Sequence, residues 1–286
     1  MYRFAGAAAL FLCVVVSAAS ANAAPAMRIV SLAPSTTEIL FALGAGPEVV
    51  GVSQYDDYPP QVHDLPRVGS FLTPNLEAIL ALRPTLVVGL ELSSDVRQIR
   101  ALNSMGYPVL LVSDNSLQEI EDSIEKVGGR IDRKSEADQL VAQIKGQVAG
   151  VQERLINAKA VRTLMLVGHQ PIVAVGVGTY LDELMRIARA DNIADAAGEQ
   201  WPHLSMEFII AMRPEVILDG AMGSDPASSD FWQKYPTIPA VRDHRVLGYA
   251  EDPMLHAGPR VGQSLAIMAR TVHPEAFDRD GVGANR

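Results

Sequence analysis

The stretch Asn75-Leu76-Glu77-Ala78-Ile79-Leu80-Ala81-Leu82-Arg83-Pro84-Thr85-Leu86-Val87-Val88 occurs twice. Its second copy is Ser205-Met206-Glu207-Phe208-Ile209-Ile210-Ala211-Met212-Arg213-Pro214-Glu215-Val216-Ile217-Leu218, 130 positions later and without a gap. Glu, Ile, Ala, Arg and Pro recur at matching places. Each copy opens on a residue suited to cap a helix with its side chain, Asn75 or Ser205. Proline, which lacks an amide hydrogen, then stops the helix. An apolar run follows and reads as a short strand. A repeated helix, Arg-Pro and strand unit predicts two similar lobes. A cleft between lobes is a preferred place for a small ligand.

Upstream of the first copy, Met27 to Leu32 reads as a buried strand. Ser35 and Glu38 fit a capping box for a helix from Thr36 to Leu43. Val49 to Val52 is the next strand, and alternation of this kind calls for a parallel sheet. The loop Ser53 to Pro60 follows it, at the end where such sheets bind ligands. Tyr55 in this loop is a pocket candidate, and Asp56 and Asp57 read as loop surface. Phe71, in the loop entering the first repeat helix, is a second wall candidate. Helices are expected from about Asp95 to Met105 and from Leu117 to Val127, the latter ending at Gly128-Gly129. Val109 to Val112 lies between them as a strand.

Lys134 to Leu155 contains no proline. Ala137, Leu140, Val141, Ile144, Val148, Val151 and Leu155 fall at steps of three and four, one apolar stripe. A helix of about 22 residues runs ~33 Å, so it makes a stiff backbone between lobes rather than a loose hinge. Beyond it, Val161 to Val167 and Pro171 to Val175 read as strands, and a helix follows through Ala190. Gly176 and Gly178 lack the rest of a nucleotide-binding motif. Trp201 precedes the second repeat helix as Phe71 precedes the first, so the two aromatics belong on facing walls. Trp232 reads as core. Val246 to Tyr249 is a strand, the loop Ala250 to Arg260 follows its carboxyl end, and Val261 to Arg270 is the last helix. The polar tail after Pro274 is expected to fray. The expected division is residues 27–130 for the first α/β lobe, 131–158 for the backbone helix, 160–275 for the second α/β lobe and 276–286 for the tail.

The chain has 286 residues, 48% of them hydrophobic and 20% charged, with a net charge of −9. That acidity argues against nucleic acid and anionic membrane surfaces as partners. Residues 1–23 read as a secretory signal peptide: Arg3, the apolar run Phe4 to Val16, and a small-x-small site at Ala21-Asn22-Ala23. The run is shorter than the roughly 20 residues a membrane span needs. The single cysteine, Cys13, lies inside it, so the mature chain from about Ala24 is expected to carry no disulfide. The histidines at 63, 169, 203, 244, 256 and 273 are scattered, which argues against a metal receptor. The sequence has no Gly-x-Ser-x-Gly, His-Glu-x-x-His or P-loop motif, so no enzyme class is indicated and no cofactor is expected.

Four segments carry a resemblance: Ser31-Leu32-Ala33-Pro34-Ser35-Thr36-Thr37-Glu38, Gly51 to Pro60, Val68-Gly69-Ser70-Phe71 and Asn75-Leu76-Glu77. They resemble the periplasmic substrate-binding proteins of iron–siderophore, heme and vitamin B12 ABC importers, and within that group the cobalamin-binding members most. The likeness covers about residues 27 to 272. It implies two α/β lobes bridged by one long helix, a corrinoid as the transported ligand, and a monomer that meets an ABC permease dimer. Tyr55 and Trp201 match cleft aromatics of the cobalamin binders, and Asp252 matches an acidic residue of the second-lobe loop. Phe71 stands where a tryptophan is common. Ser70 stands where heme binders carry an axial tyrosine, and Arg97 and Arg260 keep an anionic siderophore open. The resemblance also gives Glu77 and Glu207 a role as the acidic residues that dock onto permease arginines. The residues alone read as helix N-terminal charges stabilised by the dipole. A ligand-presenting sensor would use the same cleft.

Overall fold

The computed structural model describes residues 26–93, 95–220, 229–249, 252–254 and 256–277. Its first lobe runs β1 (Ile29–Ser31), α1 (Pro34–Ala42), β2 (Val49–Gly51), α2 (Leu76–Ala81), β3 (Leu86–Leu90), α3 (Arg97–Ser104), β4 (Val109–Val112) and α4 (Leu117–Arg130). Then comes α5 (Lys134–Arg154), 21 residues long. The second lobe runs β5 (Val161–His169), β6 (Ile172–Ala174), α6 (Tyr180–Ile187), β7 (Ala190–Asn192), α7 (Met206–Met212), β8 (Val216–Asp219), α8 (Ser229–Gln233), α9 (Pro239–Arg242), β9 (Val246–Gly248), α10 (Val261–Val272) and α11 (Pro274–Phe277). No helix among the described residues is long and apolar enough to cross a membrane. The signal-peptide reading of residues 1–23 lies outside the described residues.

The first sheet has the order β2-β1-β3-β4 and is parallel throughout. In the second, β5, β8 and β9 run parallel, while β5's other edge is shared by parallel β7 and antiparallel β6. The repeat supplies β3 and β8, the interior strands. Its helices begin as the sequence indicates, with Asn75 accepting from the Ala78 amide at 3.1 Å and Ser205 from the Phe208 amide at 3.2 Å. Both repeat arginines take left-handed backbone, φ 47° at Arg83 and 51° at Arg213. The chain then turns so that the Thr85 amide donates to the Arg28 carbonyl and the Glu215 amide to the Arg162 carbonyl, at 2.8 and 2.7 Å.

Strands covered on both faces must be apolar at every position, and side chains alternate between the faces. Ile29, Leu86 and Val88 point to one core, and Val30 and Val87 to another under α2 and α3. Met165, Val216 and Leu218 join the first of these, whereas Leu164, Leu166 and Ile217 pack with Ile209, Trp232 and Ile238. The inner faces of both sheets therefore belong to one continuous core, and α5 lies in it through Ala137, Val141, Ile144 and Val151. Helix α5 packs on α4 of the first lobe and on α10 and α6 of the second.

Local readings differ from the structure in several places. Helix α1 starts at Pro34, whose fixed φ suits the first helical position, with Ala33 as an uncapped N-cap, and Glu38 is bonded to Arg260 instead of capping. Helix α4 continues through Gly128 and Gly129 to Arg130. Gly128 is a packing residue, since a Cβ there would lie 2.5 Å from the Ala137 Cβ of α5. Helix α6 ends at Ile187, and Ala190 opens β7, which pairs with β5. Asp56 is buried rather than on the loop surface, because Arg67 donates to the carbonyls of Ser53 and Asp56 and folds the loop inward. Burial pushes the Asp56 carboxyl up from its ordinary value. Residues 274–277 form α11, with the Arg154 and Arg270 guanidinium groups each 5.5 Å from the centre of the Phe277 ring. The rest of the tail lies outside the described residues.

The two glycines of α4 give a paired test. Gly128→Ala forces α4 off α5 and is expected to lower stability by about 1–3 kcal/mol. An added Cβ at Gly129 meets nothing, so Gly129→Ala should raise stability by about 0.5–1 kcal/mol. Urea unfolding of both variants checks the contrast, and equal effects would refute the close-packing account.

Candidate ligand-binding cleft

The carboxyl ends of parallel strands converge where the two lobes face each other. Ala33 and Ser35 follow β1, Leu90 and Leu92 close β3, and Asp114 follows β4. From the other lobe come Val167 of β5, the turn Gly178 to Leu181 opening α6, Trp201 and His256. Together they line a cavity of about 380 Å³ that opens to solvent. This is the expected place for a ligand in an open α/β sheet.

The two aromatic candidates meet there. Phe71 and Trp201 line the same cavity from opposite lobes. Phe71 is held by a loop closed on itself, in which the Thr73 amide donates to the Ser70 hydroxyl at 3.0 Å and the Asn75 amide to the Val68 carbonyl at 2.8 Å. Trp201 rides on a segment strapped to the β6 region: the Gly176 amide donates to the Gln200 carbonyl at 2.8 Å and the Ala174 amide to the Pro202 carbonyl at 3.0 Å. That crossing explains Gly176, whose Cβ would lie 2.1 Å from the Glu199 carbonyl oxygen. Trp201 remains 45% exposed and Leu92 70% exposed, so the rim of the cleft presents apolar surface to water.

Tyr55 is 56% exposed and is not among the cavity-lining residues. Tyr58 instead lays its ring 3.8 Å from the Arg260 guanidinium. Asp252 opens a short 3-10 turn, Asp252–Met254, and its side chain lies outside the described residues. Glu77 and Glu207 are exposed in the first turns of α2 and α7. Among the described residues there is no His, Cys, Asp and Glu group able to hold a metal ion.

Sequence reasoning missed the polar residues of the cleft floor and the contacts that fasten the lobes. Arg260, at the start of α10, donates from Nε and Nη2 to both carboxylate oxygens of Glu38 at 2.7 and 2.5 Å. The side chains are 12% and 2% exposed, so the pair is buried and bidentate. A second link runs from the Leu117 amide at the start of α4 to the Glu183 carboxylate of α6, at 2.9 Å. Beside the floor, Tyr180 donates to the Met254 carbonyl at 2.8 Å, and burial pushes its phenol well up from the ordinary value. Neighbouring the cleft turn, burial and the Asp182 carboxylate push Asp195 up to about 6. No periodicity signals partners 222 residues apart, so Glu38 and Arg260 were legible only as separate charges.

A two-lobed frame with a shared core and an open apolar cleft at the strand ends is built to receive a small molecule. The chain belongs to the periplasmic binding protein family, which matches residues 29–253. It is 33% identical over 260 residues to an ABC transporter substrate-binding lipoprotein of Bacillus subtilis (strain 168), covering 87% of this chain and 81% of the relative. It is 29% identical over 237 residues to a vitamin B12-binding protein of Yersinia pestis (strain Pestoides F), covering 82% of each. Its fold superposes on a periplasmic heme-binding protein of Roseiflexus sp. RS-1 in apo form with a TM-score of 0.79 at 30% identity, covering 88% of this chain and 99% of that one.

The interlobe ion pair yields a stability prediction. Arg260→Ala removes both charged hydrogen bonds of this pair from the buried Glu38 carboxylate and should lower unfolding free energy by about 3 kcal/mol. Arg260→Lys should recover only part of that, because an ammonium cannot reproduce the bidentate geometry. Urea denaturation reads both, and an unchanged midpoint in Arg260→Ala would show that the pair does not hold the lobes.

Proposed function

We propose that this chain is a periplasmic receptor that binds a corrinoid in the interlobe cleft and delivers it to the permease dimer of an ABC importer. The observation that carries this reading is the placing of Phe71 and Trp201, from opposite lobes, on one largely apolar cavity. A corrin ring is broad, flat and partly apolar, and aromatic walls suit such a surface. The vitamin B12-binding relative supports the same ligand class. A heme or ferric siderophore receptor is the alternative, and the heme-binding structure is as close in fold. Against heme stands Ser70, where the resemblance puts an axial tyrosine. Here that residue is buried, with its hydroxyl 2.9 Å from that of Thr73.

Glu77 and Glu207 are the proposed docking residues. Each is exposed on a helix that the internal repeat places equivalently in its lobe. Two carboxylates related by a pseudo-twofold axis suit basic pockets on a twofold partner. Export through the signal segment would bring the receptor to the periplasm as a monomer.

The two tryptophans give the ligand test. Trp201 lines the cleft, whereas Trp232 is buried with its indole N–H 2.6 Å from Asp219. Titration with cyanocobalamin should quench fluorescence saturably, and Trp201→Phe should remove most of the change. Saturable quenching by hemin or a ferric siderophore alone would overturn the corrinoid assignment. For docking, Glu77→Lys with Glu207→Lys should abolish uptake in cells and leave ligand affinity within about twofold, the spread expected of distant independent sites. Normal uptake by the double variant would remove the docking role.

A further inference from the structure

The polar residues of the cleft are unlike its aromatic walls and have no part in the reading above. Asp114 follows β4 and lines the cavity. Its loop is fixed: the Asn115 amide donates to the Glu119 carboxylate at 3.0 Å, and Ser116 caps α4 by accepting from the Glu119 amide at 3.2 Å. Ser35, in the first turn of α1, lines the same cavity. His256 of the second lobe lines the same cavity, with its Nδ1 3.9 Å from the Glu38 carboxylate. Among the described residues, no lysine or arginine lines the cavity. Arg260, at the start of α10, is held by Glu38 and covered by the Tyr58 ring.

We propose that Asp114 sets the ligand charge this cleft accepts, selecting molecules that present neutral amide or cationic hydrogen-bond donors to the floor and rejecting those that present carboxylates. The proposal rests on the reading of the cleft as the ligand site and names the chemistry that the site recognises there. A carboxylate on the ligand would be desolvated against Asp114, and among the described lining residues there is no arginine or lysine to offset it. An amide N–H₂ or an ammonium would instead form a charge-assisted hydrogen bond to the same oxygen. Helix N-termini, which ordinarily favour anions, do not reverse this. That of α4 is engaged by Ser116 and Glu183, and that of α6 by Thr179, which accepts from the Asp182 amide at 3.1 Å. At α1 the first position is Pro34, which has no amide hydrogen to offer an anion. The charged and titratable groups around Asp114 are Glu119 on α4, His256 on the loop before α10, and Tyr180 on α6. Burial, with Glu119 adding to it, raises the Asp114 carboxyl from its ordinary value, which makes an opposing ligand carboxylate costlier to both acids and a ligand donor the favourable partner.

The test varies ligand charge on two unrelated scaffolds, using the purified protein and calorimetry. One pair is cobinamide, with its amides intact, against cobyrinic acid, with the same ring carrying carboxylates. The other is ferrioxamine B, a cation with a terminal ammonium, against its N-succinyl derivative, which ends in a carboxylate. On any scaffold that binds, the amide or ammonium form should bind about tenfold or more tightly than its acidic counterpart, one charge-assisted hydrogen bond's worth. Asp114→Asn, which keeps the shape, should reduce that ratio to about threefold or less. Its unfolding midpoint shows that the variant is folded, and Asp114→Ala gives a second reading of the ratio. Preference for the acidic forms, or a ratio unchanged in both variants, overturns the charge selection. Selective binding of ferrioxamine B alone would retire the corrinoid ligand and retain the role of Asp114. Binding of neither scaffold would overturn both.

Discussion

Burial of one helix on both sides holds this molecule together. Helix α5 has apolar residues facing a core that neither lobe completes alone. Met165 and Leu218 of the second sheet belong to the same cluster as Leu86 and Val88 of the first. Separating the lobes would therefore expose apolar area at roughly 25 cal/mol per Å², and would also strand the Glu38–Arg260 pair. The cleft therefore lies between walls that are anchored to one common core.

Much of this frame was legible in the sequence, because its signals are local and periodic. The stripe along α5 is read by counting threes and fours, and the repeated Arg-Pro segment fixes two interior strands. Errors fell where a distant residue overrides a local rule. Ser35 and Glu38 satisfy the capping-box pattern, yet Glu38 is taken by Arg260 from the far end of the chain. Gly128 and Gly129 look like a helix stop, but one of them marks where α4 touches α5. Three-residue β7 has no periodicity to detect.

The cleft divides in the same way. Phe71 and Trp201 were found because each precedes a copy of the repeated helix, so sequence symmetry predicted that they face each other. Asp114 and His256 carry no motif and belong to separate loops, and Ser35, read only as a cap, sits in the first turn of α1. Only the convergence of strand ends brings them together. Tyr55 was singled out for lying after β2, and its position is correct at that level, but the inward fold of the loop around Asp56 and Arg67 delivers Tyr58 to Arg260 and leaves Tyr55 outside the cavity.

Arg83 and Arg213 share more than sequence. A left-handed backbone is uncommon for arginine, yet both adopt it at the same point of the repeat, and each is followed by the same amide-to-carbonyl bond into the first strand of its sheet. The irregularity therefore recurs with the repeat. The lobes differ at the edge of β5, where, among the described residues, antiparallel β6 has no counterpart in the first sheet and carries the strap that presents Trp201. The molecule is thus a repeated frame with one wall built differently, and that wall carries one of the two aromatics of the cleft.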